Sequence, residues 1–172
     1  MDIEPDTKDW TWVLDQPCPE CGFVAADVAA ADVGAIVRDQ LPRWEAVLRR
    51  VEARVRPEPT TWSPTEYACH VRDVFILFAD RVRLMLAEQD PQFADWDQDA
   101  TALEDDYACQ LPSEVSTEVV VAGQAAAELF DSIPADALGR SGRRSNGSEF
   151  TVESLLQYFL HDVVHHLHDV RG

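Results

Sequence analysis

The stretch YFLHDVVHHLHDV, Tyr158–Val170, contains four of the five histidines in this chain of 172 residues. Apolar residues recur in it every three or four positions, which is the period of an amphipathic helix. A solvated helix face has little use for four imidazoles, whereas a metal site uses two or three such side chains and one partner from another element. The stretch therefore predicts a final helix, capped by Thr151, that serves both a core and a metal site.

Rotation of about 100° per residue assigns the side chains of this helix to faces. One broad apolar face is formed by Val152, Leu155, Leu156, Phe159, Leu160, Val163, Leu167 and Val170. Asp162 and His166 lie along its edge, one turn apart, which is the spacing by which a helix offers two ligands to one ion. His161, His165 and His168 are predicted to lie on the opposite side. His161 and His165 have the same i,i+4 spacing and form the rival ligand pair.

Three further helices are predicted from periodicity, over residues 27–56, 63–88 and 112–133. The first contains Pro42, which is expected to kink or interrupt it. The second begins with SPTE, the signature of a capping box with proline at the first helical position. Val119–Val121 is the one alternative short strand. Four amphipathic helices predict an all-α antiparallel four-helix bundle, and the long loops between them indicate a crossover connection.

His70 lies at the edge of the apolar face of the second helix, one turn from Val74. If the second and last helices are neighbours, His70 converges with Asp162 and His166. Two imidazoles and one carboxylate leave coordination positions open, which suits catalytic Zn(II), Fe(II) or Ni(II). The alternatives are a hydrogen-bonded histidine at a core edge and solvated histidines on an acidic surface.

The bulk composition is that of one soluble globular domain, with 46% apolar and 27% charged residues. The expected domain covers residues 1–172, with an irregular N-terminal segment, 1–24, packed on the bundle. The N-terminus is acidic and lacks an apolar h-region, which favours a cytoplasmic protein over a secreted one.

The net charge of −18 repels phosphate backbones, so nucleic-acid binding is disfavoured. No apolar run approaches the roughly 20 residues that span a bilayer, so no membrane partner is expected. The partners that remain are a small-molecule substrate and a second copy of the chain in a homodimer.

The segment CPECGF, Cys18–Phe23, is half of a zinc knuckle. A structural zinc site needs two more ligands, and Cys69 and Cys109 do not form a second C-x-x-C pair. The favoured interpretation is a turn with two packed thiols or a facultative disulfide. A redox-responsive lid near the metal is the sharper hypothesis.

SPTEYACHVRDV, followed far downstream by HDVVHHLHDV, resembles the DinB/YfiT-like superfamily of metal-binding four-helix bundles, from about Val33 to Val170. The resemblance implies one histidine ligand from the second helix and two ligands at i,i+4 from the last. Carried onto this chain, these are His70, Asp162 and His166. Aspartate stands where the family more often has histidine or glutamate, and this departure leaves room for His165 or His161 to take part.

The resemblance also implies a divalent metal ion, Zn, Ni or Fe, at the open end of the bundle. Characterised relatives use low-molecular-weight thiols such as mycothiol, so the expected function is a metal-dependent thiol S-transferase or isomerase. A metal-dependent hydrolase is the alternative, as is a non-catalytic bundle that binds metal or a small ligand. Fold and metal site transfer within such a family more readily than the reaction does.

Overall fold

The computed structural model describes residue 3 and residues 8–172, so the first part of the predicted irregular segment, residues 1–2 and 4–7, lies outside it. Its helices are α1 (Val33–Leu48), α2 (Pro64–Ala87), α3 (Gln98–Glu104), α4 (Pro112–Asp131) and α5 (Val152–Asp169). Its strands are β1 (Gln92–Phe93), β2 (Ser141–Arg144) and β3 (Glu149–Thr151). Short 3₁₀ turns cover Trp10–Leu14, Ala25–Asp27, Ala30–Asp32, Tyr107–Cys109 and Ala135–Ala137. Within the described ranges, no helix has the length and apolar character needed to cross a membrane.

The two helices that carry the candidate ligands begin at reciprocal caps. The Ser63 amide donates to Glu66 Oε2 at 2.8 Å, and the Glu66 amide donates to Ser63 Oγ at 3.3 Å. At the start of α5, the Ser154 amide donates to Thr151 Oγ1 at 3.1 Å. Each cap satisfies amides that the first helical turn leaves without partners. The predicted starts of α2 and α5 are therefore confirmed.

The first helix is shorter than predicted and is not interrupted. It covers Val33–Leu48, and residues 49–54 form turns and a bend instead. Val51 and Val55 are exposed there, so continuing the helix would bury no further apolar surface on them. The helix passes through Pro42 because Leu41 and Trp44, at 2% and 1% exposure, anchor it in the core on either side.

The long helices form a four-helix bundle, as the sequence predicts, but consecutive helices are not always neighbours. α4 and α5 each pack against both α1 and α2, whereas α1 and α2 share little contact. In the centre, the Phe159 ring meets Phe130 from α4, with ring centroids 5.1 Å apart, and Phe78 from α2 at 5.5 Å. This order places α2 directly beside α5, so the residues on their facing sides can form one site.

A small three-stranded sheet closes one end of the bundle, although no strand was expected there. β1 runs parallel to β2, and β2 runs antiparallel to β3, which leads directly into α5. Strands of two to four residues in polar loops show no alternating pattern, so only their pairing reveals them. The alternative strand at Val119–Val121 is wrong, because these residues lie inside α4.

The described part of the N-terminal segment lies against α5. The turn Trp10–Leu14 packs on this helix and buries Val13 completely. Cys18 is also buried, at 1% exposure. One face of α5 is therefore covered by this segment and another by α2.

Candidate metal centre

His70, Asp162 and His166 meet where α2 packs against α5. His70 Nε2 lies 3.3 Å from Asp162 Oδ1, and His166 Nε2 lies 3.6 Å from the same oxygen. The two imidazole rings are 4.8 Å apart between centroids and nearly perpendicular. One ligand atom from each of the three residues lies within 4.8 Å of the others. The structure thus brings together the three residues that the sequence singles out.

These separations fit one divalent ion. Bonds of about 2.0–2.2 Å from nitrogen and carboxylate oxygen place neighbouring donors roughly 3–3.6 Å apart around a tetrahedral ion. The His70 ring is fully buried, and its Nδ1 has no hydrogen-bond partner among the described residues. The other ring nitrogen, Nε2, is directed at the Asp162 carboxylate, so an ion between these two groups would be bound by both.

The electrostatics of the centre keep the donors in their ligating forms. Burial would raise the pKa of Asp162, but the imidazoles of His70 and His166 outweigh it and lower that pKa to about 2. Burial lowers the pKa of His70, against the opposing attraction of Asp162. At neutral pH the centre therefore offers an ionised carboxylate and a neutral buried imidazole, the states that bind a cation.

Neighbouring side chains hold the ligands in orientation. Asp169 Oδ2 lies 3.0 Å from His166 Nδ1, the ring nitrogen that faces away from Asp162. A carboxylate at this position fixes the tautomer and angle of a ligating imidazole. The Trp96 indole stacks on His70 at 5.2 Å between centroids and 11° between planes, and Trp62 packs on it at 5.4 Å. Trp62 was not predicted from the sequence to contact the centre. Its position just before Ser63, two turns ahead of His70, was the only indication of this contact.

Two other acidic residues near the centre, Asp97 and Asp73, are engaged by partners of their own. Asp97 Oδ1 accepts a hydrogen bond from the Ala100 amide at 2.9 Å and caps α3. The Asp73 carboxylate pairs with Arg72 at 2.8 Å and accepts a hydrogen bond from the Tyr107 hydroxyl.

A cavity of about 280 Å³ gives access to the centre. Asp162 and His166 line it together with Tyr67, Tyr158 and Trp10. A second, wider cleft of about 760 Å³ shares Trp10 and Tyr158 with this cavity. The cleft adds one indole, Trp96, several carboxylates, among them Asp95, Asp97 and Asp99, and the guanidinium of Arg144. The centre thus has a small inner chamber and a larger polar vestibule.

The rival histidines lie on another side of α5 from Asp162 and His166, but this side is not solvated. His161 and His165 are buried, at 3% and 6% exposure, and only His168 is largely exposed. The N-terminal segment covers this face, since the Trp10 ring packs on both, at 5.6 and 5.2 Å between centroids. They therefore do not compete with Asp162 and His166 for one ion. They face Cys18 and Cys21 instead, with one ligand atom from each of the four within 4.8 Å of the others.

The fold and the centre define a class: a four-helix bundle in which two adjacent helices present a histidine–aspartate–histidine group at an open cavity. Residues 37–170 match the DinB superfamily, which is more than half of the chain, so the chain belongs to that superfamily. The resemblance noted from the motifs is thereby confirmed.

A solved structure supports the same fold. YfiT from Bacillus subtilis, described as a probable metal-dependent hydrolase with an unusual four-helix bundle topology, superposes with a TM-score of 0.68. The match has 17% sequence identity and covers 82% of this chain and 83% of YfiT. At this identity the likeness concerns the fold alone. A search of curated proteins found no match.

Proposed function

We propose that this DinB-superfamily protein is a divalent-metal-dependent enzyme that acts on a low-molecular-weight thiol of the mycothiol type, as an S-transferase or isomerase. The observation that carries the proposal is the convergence of His70, Asp162 and His166, the last two of which line an accessible cavity. Three protein ligands leave coordination positions for a substrate, as catalytic sites require. Zn(II), Fe(II) and Ni(II) all suit this donor set.

A cation in this centre would supply Lewis acidity, which lowers the pKa of a thiol or of a water molecule. The residues of the chain provide orientation and exclude solvent. Asp169 holds the His166 ring, and Trp96 and Trp62 enclose the His70 ring on α2. Burial raises the pKa of Tyr158, so its hydroxyl stays protonated at neutral pH and can donate a hydrogen bond into the cavity.

The vestibule favours a thiol that carries a polyhydroxylated group. Trp10 and Trp96 contribute indole surfaces, and Asp95, Asp97 and Asp99 contribute carboxylate acceptors for hydroxyl groups. Aromatic surfaces combined with a few polar groups fix the orientation of such a ligand. Mycothiol joins its thiol to a pseudo-disaccharide, so the thiol would enter the inner chamber while the sugar occupies the vestibule.

The first experiment measures metal content per chain in tag-free protein beside His70→Ala and His166→Ala. Each substitution should remove about one equivalent of metal, because an open three-ligand centre holds an ion poorly with two ligands. His168→Ala is the matched control, since His168 lies on the same helix and is largely exposed. Metal content that is the same in all four proteins would exclude this centre.

The second experiment tests the substrate class by calorimetric titration of mycothiol into metal-loaded protein. Binding should be seen in wild type and lost in His70→Ala. Des-thiol mycothiol, which keeps the sugar, should bind much more weakly to wild type. If mycothiol and the des-thiol analogue bind equally, or if neither binds, the proposal that the substrate is a thiol is wrong.

Hydrolysis is the second candidate, favoured by the description of YfiT as a probable metal-dependent hydrolase. The same three residues would then serve a water molecule, with a neighbouring carboxylate or imidazole as base. A panel of carboxylic ester, amide and phosphoester substrates distinguishes the two reactions. Turnover without any thiol, absent from His70→Ala, would support hydrolysis over thiol transfer.

A further inference from the structure

The second cluster joins two distant parts of the chain. Cys18 and Cys21 come from the N-terminal segment, and His161 and His165 come from α5. Cys18 Sγ lies 3.6 Å from His165 Nδ1 across a sequence separation of 147 residues. In a tetrahedral zinc site with Zn–S of about 2.3 Å and Zn–N of about 2.1 Å, sulfur and nitrogen lie roughly 3.6 Å apart. The geometry is therefore close to that of a complete ligand set.

The backbone around the cysteines forms the turn that a zinc knuckle needs. The Cys18 amide donates to the Phe23 carbonyl at 2.8 Å, and the Gly22 amide donates to the Cys18 carbonyl at 2.9 Å. Gly22 adopts a φ of 75°, a left-handed conformation that glycine accepts without strain. The turn directs both sulfurs towards α5.

The two histidines are oriented as ligands. His165 Nε2 faces Glu20 Oε2 at 3.5 Å and Asp169 Oδ1 at 3.7 Å, which leaves Nδ1 directed at Cys18. A carboxylate behind the distal nitrogen is the usual support of a ligating imidazole. His161 is buried, and its Nε2 has no hydrogen-bond partner in the described part of the chain. Leaving such a nitrogen unpaired costs free energy, which an ion would recover.

We infer that Cys18, Cys21, His161 and His165 form a closed structural Zn(II) site, separate from the open centre at His70. Four protein ligands of the Cys₂His₂ type fill a tetrahedral ion and leave no position for a substrate. The site fastens the N-terminal segment to α5. Because Glu20, His161 and His165 also line the inner chamber, the zinc ion holds one wall of the open centre in place.

A disulfide between Cys18 and Cys21 is the competing arrangement, and it gives the two histidines no role. Both cysteines are free thiols in the structure. The zinc site accounts for two buried histidines that face two cysteines, with Cys18 Sγ 3.6 Å from His165 Nδ1.

Cobalt(II) is the probe for this site in the full-length, tag-free protein. Thiolate ligation gives an intense sulfur-to-cobalt absorption in the near ultraviolet. The open centre has no thiolate among its ligands and cannot give this band. The band should appear in wild type and persist in His70→Ala, so it reports on the second site even if the open centre binds nothing. Absence of the band from cobalt-loaded wild type would overturn the inference.

Cys21→Ser and His161→Ala identify the ligands. Both should lose most of the band and about one equivalent of zinc per chain. Cys109→Ser is the matched control, because this thiol is exposed and remote from the cluster. An undiminished band in folded Cys21→Ser would overturn the inference. So would isolation of wild type with Cys18 and Cys21 joined as a disulfide, detected by peptide mapping, which needs no variant to fold.

Discussion

At the scale of single residues, Asp162 stands where the motif resemblance leads us to expect histidine or glutamate. Both Nε2 atoms, of His70 and His166, face its Oδ1 at 3.3 and 3.6 Å. An aspartate is short, but the close packing of α2 on α5 brings His70 to it. The shorter side chain therefore reaches both imidazoles without rearrangement of the helix.

Asp169 supports both clusters and its removal tests that role. Its Oδ2 contacts His166 Nδ1 at 3.0 Å and its Oδ1 lies 3.7 Å from His165 Nε2. Removing such a partner typically weakens metal binding about 10–100-fold. We expect Asp169→Ala to weaken binding at the open centre by this factor, measured by competition with a chromophoric chelator.

His168→Ala serves as the control for this measurement, because it changes an exposed imidazole one position away. Its metal affinity should equal that of wild type. An Asp169→Ala protein that binds as tightly as the control would show that His166 needs no support from the carboxylate.

At the scale of elements, the start of α2 is stabilised by a buried carboxylate. Glu66 is 3% exposed, accepts the Ser63 amide at 2.8 Å, and binds the Arg56 guanidinium through both oxygens. Burial raises the pKa of Glu66, but the bonds to Arg56 and Ser63 outweigh it, so the net pKa is lowered. The carboxylate thus ties the loop before α2 to the helix that carries His70.

The lowered pKa of Glu66 predicts acid sensitivity. A carboxylate whose folded pKa lies below its unfolded value contributes stability above the unfolded pKa, about 4.3, and loses it as pH falls through the folded pKa. We expect Glu66→Gln to lower the free energy of unfolding by about 1.5–3 kcal/mol at pH 7. The loss should shrink as pH falls below about 4. Urea unfolding at several pH values measures both effects.

Glu58→Gln is the control for this pH series, because Glu58 is exposed in the same loop. Its unfolding free energy should follow that of wild type. If the difference between Glu66→Gln and wild type is the same at every pH, the carboxylate does not provide the stabilisation.

At the scale of the whole molecule, α1 approaches α4 closely at a glycine. A Cβ atom on Gly34 would lie 2.1 Å from Asp131 Oδ1 and 2.9 Å from the Ala127 carbonyl oxygen. The carboxylate can move, but the backbone carbonyl of α4 cannot. The glycine therefore sets the distance between these two helices.

Gly34→Ala should destabilise the bundle. Overpacking typically costs about 1–3 kcal/mol, and the higher helix propensity of alanine returns up to about 1 kcal/mol. We expect a net loss of about 1–2 kcal/mol in thermal or urea unfolding. Gly139→Ala is the matched control, since nothing lies within 4 Å of its added Cβ. A neutral or stabilising Gly34→Ala would mean that α1 and α4 can separate at little cost.

α5 links the two clusters. Its i,i+4 pair of Asp162 and His166 faces α2, and its other pair, His161 and His165, faces the N-terminal segment. The sequence shows both pairs, because their spacing is a local property of a helix. Helical rotation places the second pair on the side away from the core. It cannot predict that this side is buried, because the covering segment comes from the other end of the chain, 147 residues away between Cys18 and His165.

Local sequence determined the long helices of this protein and the one-turn spacing of Asp162 and His166, whereas the packing of α2 on α5 brought His70 to them. Caps at Ser63 and Thr151 and the 3.6-residue period act within a few residues, so they can be read without the fold. Tertiary structure decided the helix order, the three-stranded sheet and the partners of Cys18 and Cys21. These features depend on contacts between segments far apart in the chain. The free energy that stabilises such contacts comes from apolar surface that two segments bury together, so neither segment shows it in its own sequence pattern.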